Sequence, residues 1–215
     1  MSFFTRLVNT VLLSSALLFF TSCLLPEKFT CNILINEDGS YSLAYKGTVV
    51  DYRALAAISD GSFDDKEYES MVPDYNSNNQ FAVIRYKGNG RIYVEFSKNS
   101  QKGATMGLFS DSDVITITRT VNYVYVKISA TDTSTSDGLS GLDYKIDGTI
   151  NITSLLPVEK EGSFTVSKTD NVYHAFKKID ELSKEETMIS FRAPPVSADQ
   201  ATSDRKQSYS NDWTE

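Results

Sequence analysis

Three kinds of side chain in this 215-residue sequence could do chemistry: the thiols of Cys23 and Cys31, the lone imidazole of His174, and carboxylates grouped in Asp60–Asp65 and again from Asp132. A zinc site built on histidine needs partners that one imidazole and one spare thiol do not supply. A serine-histidine-aspartate relay needs a turn that exposes the serine, and the sequence has no G-x-S-x-G run. The acidic runs Asp60-Gly61-Ser62-Phe63-Asp64-Asp65 and Asp132 to Gly138 lack the alternating ligands, the glycine at six and the glutamate at twelve of a calcium-binding EF-hand loop. They read as solvated loops. The expectation is no catalytic residue, no metal ligand and no cofactor site, with His174 at the surface beside Lys177 and Lys178.

Cys23 is different because of what precedes it. Arg6 supplies a positive charge, Val11 to Phe20 form an apolar stretch, and the small residues Thr21 and Ser22 come just before the cysteine. That is the layout of a secretory signal. With a cysteine at its end it resembles the bacterial lipoprotein signal, which implies that the Cys23 thiol takes a lipid and that cleavage before it makes Cys23 the new amino terminus. Residues 1–22 then form the signal peptide and Cys23 is the lipid-attachment residue. Phe20 departs from the Leu that such signals usually carry there. It also opposes an ordinary signal-peptidase cut after Ser22, which wants small residues at the first and third positions before the cut. An uncleaved anchor needs about 20 apolar residues, and Leu7–Leu25 is diluted by Asn9, Thr10, Ser14, Ser15, Thr21 and Ser22. If Cys23 carries lipid, Cys31 has no thiol partner and reads as a small buried hydrophobe opening an apolar strand. A Cys23–Cys31 bridge is the alternative.

Charge narrows the partners. The formal net charge is -7, and losing Arg6 with the signal takes it to -8. Lysines and arginines are scattered, so neither nucleic-acid binding nor electrostatic attachment to anionic lipid is expected. The membrane partner is reached through N-terminal acyl chains, which together exceed the two-signal threshold for stable attachment.

The elements follow from a period of two that recurs in pairs. Cys31–Asn36 and Tyr41–Tyr45 flank an Asp-Gly turn, Phe81–Tyr86 and Arg91–Phe96 flank Lys87-Gly88-Asn89-Gly90, and Val114–Thr118 precedes Tyr123–Ser129. Tyr52–Ile58 and Asp64–Met71 read as short helices, the second stopped by Pro73. Thr131–Leu142 reads as a loop, Tyr144–Ile152, Gly162–Val166 and Thr187–Phe191 as strands. Val172, Phe176, Ile179 and Leu182 have helical spacing while Tyr173, Ala175 and Lys177 alternate; the reading favours a helix over 172–182. The predicted fold class is α+β, predominantly β: an antiparallel sheet built of hairpins, with a few short helices. Residues 23–192 form one domain, and 193–215 a disordered tail poor in apolar residues. Strand tyrosines (41, 45, 86, 93, 123, 125, 144) suit half-buried sheet packing or, alternatively, an aromatic face for a ligand or partner.

Leu25-Pro26-Glu27-Lys28-Phe29 directly after the cysteine, Ile35, Asp38-Gly39-Ser40-Tyr41 and Tyr45-Lys46-Gly47, echoed in Asp147-Gly148-Thr149-Ile150, resemble the start of uncharacterised bacterial envelope lipoproteins whose first hairpin follows the anchor at once. The resemblance ends near Val50 and carries over no catalytic residue. In that class Leu24, where an aspartate would signal inner-membrane retention, implies the outer membrane, facing the periplasm. The expected function is a non-enzymatic binding or assembly component, with an envelope protein as a candidate partner. A carrier of a hydrophobic ligand is the alternative reading, and a hydrolase a third.

Overall fold

The structure, a computed structural model, describes residues 24–77, 79–100, 105–107, 115–129, 141–180 and 186–195. Its first strand, β1 (Leu24–Ile35), turns through Asn36–Ser40 into β2 (Tyr41–Asp51). The turn is pinned by its own side chains: Ser40 donates from both its backbone N–H (2.9 Å) and its hydroxyl (2.6 Å) to Asp38 Oδ1. Gly39 takes φ of 81°, where a side chain is strained and where a Cβ would also lie 2.5 Å from Arg119 Nε. The hairpin is longer at its open end than the sequence pattern suggests, pairing Leu24 with Asp51.

From Asp51 the chain enters α1 (Tyr52–Asp60), closed by left-handed Gly61, then α2 (Asp65–Met71) and a 3-10 turn (Val72–Asn76). Pro73 sits inside the first turn of that 3-10 segment, changing the kind of helix there. The second hairpin is β3 (Val83–Gly88) and β4 (Arg91–Ser100). Next come β5 (Thr105–Gly107), β6 (Ile115–Arg119) and β7 (Tyr123–Ile128), then β8 (Asp147–Ser154), β9 (Val158–Lys160), β10 (Thr165–Thr169), β11 (Val172–Ile179) and β12 (Thr187–Arg192). The fold is α+β and predominantly β.

The expected antiparallel hairpins are distributed over two sheets. One has the order β10-β11-β8-β1-β2-β4-β3 and the other β5-β6-β7-β12-β9. The first is also mixed, because β8 returns to the free edge of β1 and pairs with it in parallel, Lys28 opposite Asp147 through Ile35 opposite Ser154. Hairpin spacing cannot reveal such a pairing, since its partners lie more than a hundred residues apart. The inner faces of both sheets meet in one core that joins Ile33, Leu43 and Val94 to Ile117, Val126 and Phe191. Tyr41 spans the gap, its hydroxyl donating to Ile117 O at 3.1 Å.

The helix expected over 172–182 is the strand β11, flanked by β10 and β8. Ala175 and Ile179 are buried whereas Phe176 is exposed, so an alternating face prevails over the helical spacing. The deciding local signal is Asp170-Asn171, with φ of 48° and 65°, which forms the two-residue turn between β10 and β11. The neighbouring strands also shift: β8 begins at Asp147 and not at Tyr144, and β10 at Thr165 and not at Gly162. The expected tail boundary moves as well. Ala193 is buried, its N–H donating to Asn122 O at 2.8 Å, and Pro194 O accepts from the buried Arg119 guanidinium, so the fold reaches Pro194. Residues 196–215 and the loop residues 131–140 lie outside the described residues.

Candidate functional site at the start of the first strand

Cys23 lies outside the described residues, but the strand that follows it begins at Leu24 with no intervening linker. One peptide unit, about 3.8 Å between Cα atoms, is all that separates Cys23 from the sheet. β1 then runs extended to Cys31, whose side chain is fully buried. At about 3.3 Å per residue Leu24 and Cys31 lie roughly 20 Å apart along β1, and one further peptide unit cannot bring the preceding residue back to the spacing a disulfide requires. The Cys23–Cys31 bridge is therefore incompatible with this strand. Burial also pushes the Cys31 thiol up to about 12, which removes it as a nucleophile at neutral pH.

The surroundings of Leu24 are set by pairing. Leu24 faces Asp51, Leu25 faces Val50, Val50 faces Arg91, and Gly88 faces Arg91, so the start of α1 and the β3–β4 turn share this end of the sheet. A β-bulge between Pro26 and Lys28 lets Glu27 turn inward beside buried Pro26. Arg91 answers that buried carboxylate, with Nε donating to Glu27 Oε1 at 2.9 Å and Nη2 to Asp143 O at 2.8 Å. Tyr144 closes the same corner by donating to Pro26 O at 2.7 Å.

Asp51 is 1% exposed and serves as the N-cap of α1, accepting from the Arg53 N–H at 2.8 Å. Its other oxygen accepts from Arg53 Nη2 at 2.9 Å and from the Tyr75 hydroxyl at 2.5 Å. The Tyr68 and Tyr75 hydroxyls are 3.2 Å apart, extending the network toward α2. A buried carboxylate held this way is fully paired, and removing one partner costs more than the pair itself contributes. Burial, aided by the hydrogen bond to Asp51, pushes the Tyr75 hydroxyl up to about 12. Burial raises Tyr68 as well.

The sign of the pH effect follows. Between the ordinary tyrosine value near 10 and about 12, the unfolded chain has lost the Tyr75 proton while the folded chain keeps it, so stability falls as pH rises. The fall is at most about 1.4 kcal/mol per pH unit for this group, reduced by its partial solvent exposure. Tyr75→Phe is expected to make urea-unfolding free energies decline less steeply from pH 10 to 12 than in the parent protein. An unchanged slope would remove Tyr75 from the account.

The other sequence candidates are dispersed. His174 is exposed on β11, opposite Thr153 and Ser167, on the outer face of the large sheet. Asp60 holds the Ser62 turn, Asp64 caps α2, and Asp65 accepts from the Tyr86 hydroxyl at 2.6 Å and the Asn89 N–H at 2.9 Å. These acids shape helix ends. Among the described residues no group of three or more His, Cys, Asp or Glu side chains is placed to hold a metal ion. The second acidic run, from Asp132, lies outside them. Nor is any helix among them long and apolar enough to cross a membrane.

Many of the aromatics go inward. Phe29, Tyr45 and Phe96 stack across β1, β2 and β4 with centroids 5.4 and 5.1 Å apart, and Phe81 meets Phe96 edge-on at 5.7 Å. Tyr68 packs against Phe63, Tyr75 and Tyr86 over β3. What the sequence pattern does not reveal is a small separate cluster at the Leu24 end of the sheet: Val50 and Leu55, fully covered, with Leu25, Tyr52, Leu142 and Tyr144 partly buried around them.

No protein-family model matches the chain, and no curated protein matches it either. Among solved structures, it is similar to the NMR structure of the folded domain of LppM from Mycobacterium tuberculosis, with 15% identity and a TM-score of 0.37, over 85% of this chain and 96% of that one. A likeness at that level transfers neither a ligand nor a residue's role.

Proposed function

We propose that the chain is a lipid-anchored bacterial envelope lipoprotein that acts as a non-enzymatic binding or assembly component at the outer membrane, facing the periplasm. The observation that carries this reading is the position of Cys23, between a secretory-type apolar stretch and the first residue of the sheet. The non-enzymatic part is supported by the spending of the chemically able groups: Cys31 in the core, Asp60, Asp64 and Asp65 in turns and caps, Asp51 in its buried network.

The test is direct because only a thiol can take the diacylglyceryl group. In cells fed a labelled fatty acid, Cys23→Ser is expected to abolish labelling and leave the precursor uncleaved, whereas Cys31→Ser leaves both intact. Labelling that survives Cys23→Ser would overturn the proposal.

A further inference from the structure

We propose that the end of the large sheet where β1 begins is a lipid-contacting surface, so that the domain stands on the membrane through Leu25, Tyr52, Leu142 and the β3–β4 turn. This deepens the lipoprotein reading and rests on it. A tether of one peptide unit, about 3.8 Å, leaves no linker for the domain to swing away. Whatever surrounds Leu24 must lie at headgroup depth once Cys23 is acylated.

The chemistry there suits that depth. Val50 and Leu55 form a cluster apart from the main core, and its outer members Leu25, Tyr52 and Leu142 are only partly covered. Tyrosine with an apolar body and a polar tip is favoured at membrane interfaces. Arg53 on α1 and Lys87 on β3 are exposed at this end of the sheet, their long stems able to lie along apolar surface with the charge among headgroups. The acidic side chains at this end include Asp51 and Glu27, buried and paired with Arg53 and Arg91, Asp143, exposed and also paired with Arg91, and exposed Asp65. Since the charges nearly balance, the acyl chains supply the attachment and this surface sets the orientation. The opposite end, the Asn36–Ser40 turn, is a whole strand away, roughly 35 Å at 3.3 Å per residue.

The experiment uses the full acylated protein in vesicles of phosphatidylcholine containing a bromolipid quencher. In a Trp213→Phe background, three single-tryptophan variants are compared: Y52W and K87W at the anchor end, and E37W at the far turn. All three should float with the vesicles, with fluorescence at 52 and 87 quenched severalfold more than at 37. Position 87 is exposed, so the comparison survives if Y52W disturbs folding. Floating protein with equal quenching at the two ends, or none at 87, overturns the orientation while leaving the lipid anchor intact. Protein that neither floats nor carries lipid overturns the anchor reading and this inference together.

Discussion

Val94→Asp is expected to destabilise the protein by 3 kcal/mol or more, on the order of what a buried, unpaired charge costs. Val94 has no exposed surface and lies between Gly47 on β2 and Ile84 on β3, with its side chain in the core where the two sheets meet. The nearest lysine across the pair, Lys46, is turned to the outer face, where it approaches Glu95 to 3.6 Å. Glu95→Gln on the adjacent outward position removes the charge that meets Lys46 and the Tyr93 hydroxyl on the outer face, keeps an oxygen to accept from that hydroxyl, and should shift the urea midpoint far less. The comparison is made on protein beginning at Leu24, so that residues before the sheet play no part. Similar midpoints for the two variants would mean that the strand is not half buried and that the register is wrong.

The second large effect is expected at a residue with no side chain. Phe29 on β1 has a glycine opposite it on both flanks, Gly47 on β2 and Gly148 on β8. A Cβ on Gly47 would fall 2.3 Å from Lys28 O and 2.6 Å from Phe29 Cα, both backbone atoms of a central strand. A Cβ on Gly148 would fall 2.3 Å from the Phe29 ring, which is a side chain and can turn. Gly47→Ala should therefore cost about 2 to 3 kcal/mol, the range for overpacking a filled core, and Gly148→Ala somewhat less. The discriminating step is a double-mutant cycle. Phe29→Leu should relieve Gly148→Ala, because it removes the atoms in the way, and should not relieve Gly47→Ala. Additive costs in both pairs would show that the ring does not lie across Gly148.

Much of this architecture is legible in the sequence, for reasons that differ by element. The hairpins at Gly39 and at Gly88-Asn89-Gly90 announce themselves because a positive φ has a residue signature, and alternation then fixes which side of β4 is inside. The helices α1 and α2 are similarly local, each with an aspartate cap at its start. β11 misleads because four apolar residues have helical spacing by coincidence, and only the turn chemistry of Asp170-Asn171 corrects it. The parallel pairing of β1 with β8 leaves almost no local trace. Its one sign is the glycine of Asp147-Gly148, whose meaning depends on knowing that Phe29 lies beside it. At the Leu24 end of the sheet the surroundings leave no local trace, since Leu25, Val50, Leu55 and Leu142 become a cluster only after three separate stretches of chain have met.

The placement of β1 has a mechanical consequence. It is the first strand among the described residues and yet an interior strand of its sheet, bonded to β2 along almost its whole length and to β8 from Lys28 to Ile35. A pull entering at Leu24 along the strand axis would load both ladders in shear, so many hydrogen bonds must yield together. Had the chain begun on an edge strand and been pulled sideways, the bonds would break one after another. Forced unfolding is governed by the unfolding barrier and not by equilibrium stability. Pulled through β1, the domain should therefore hold against tension better than its thermal stability alone implies.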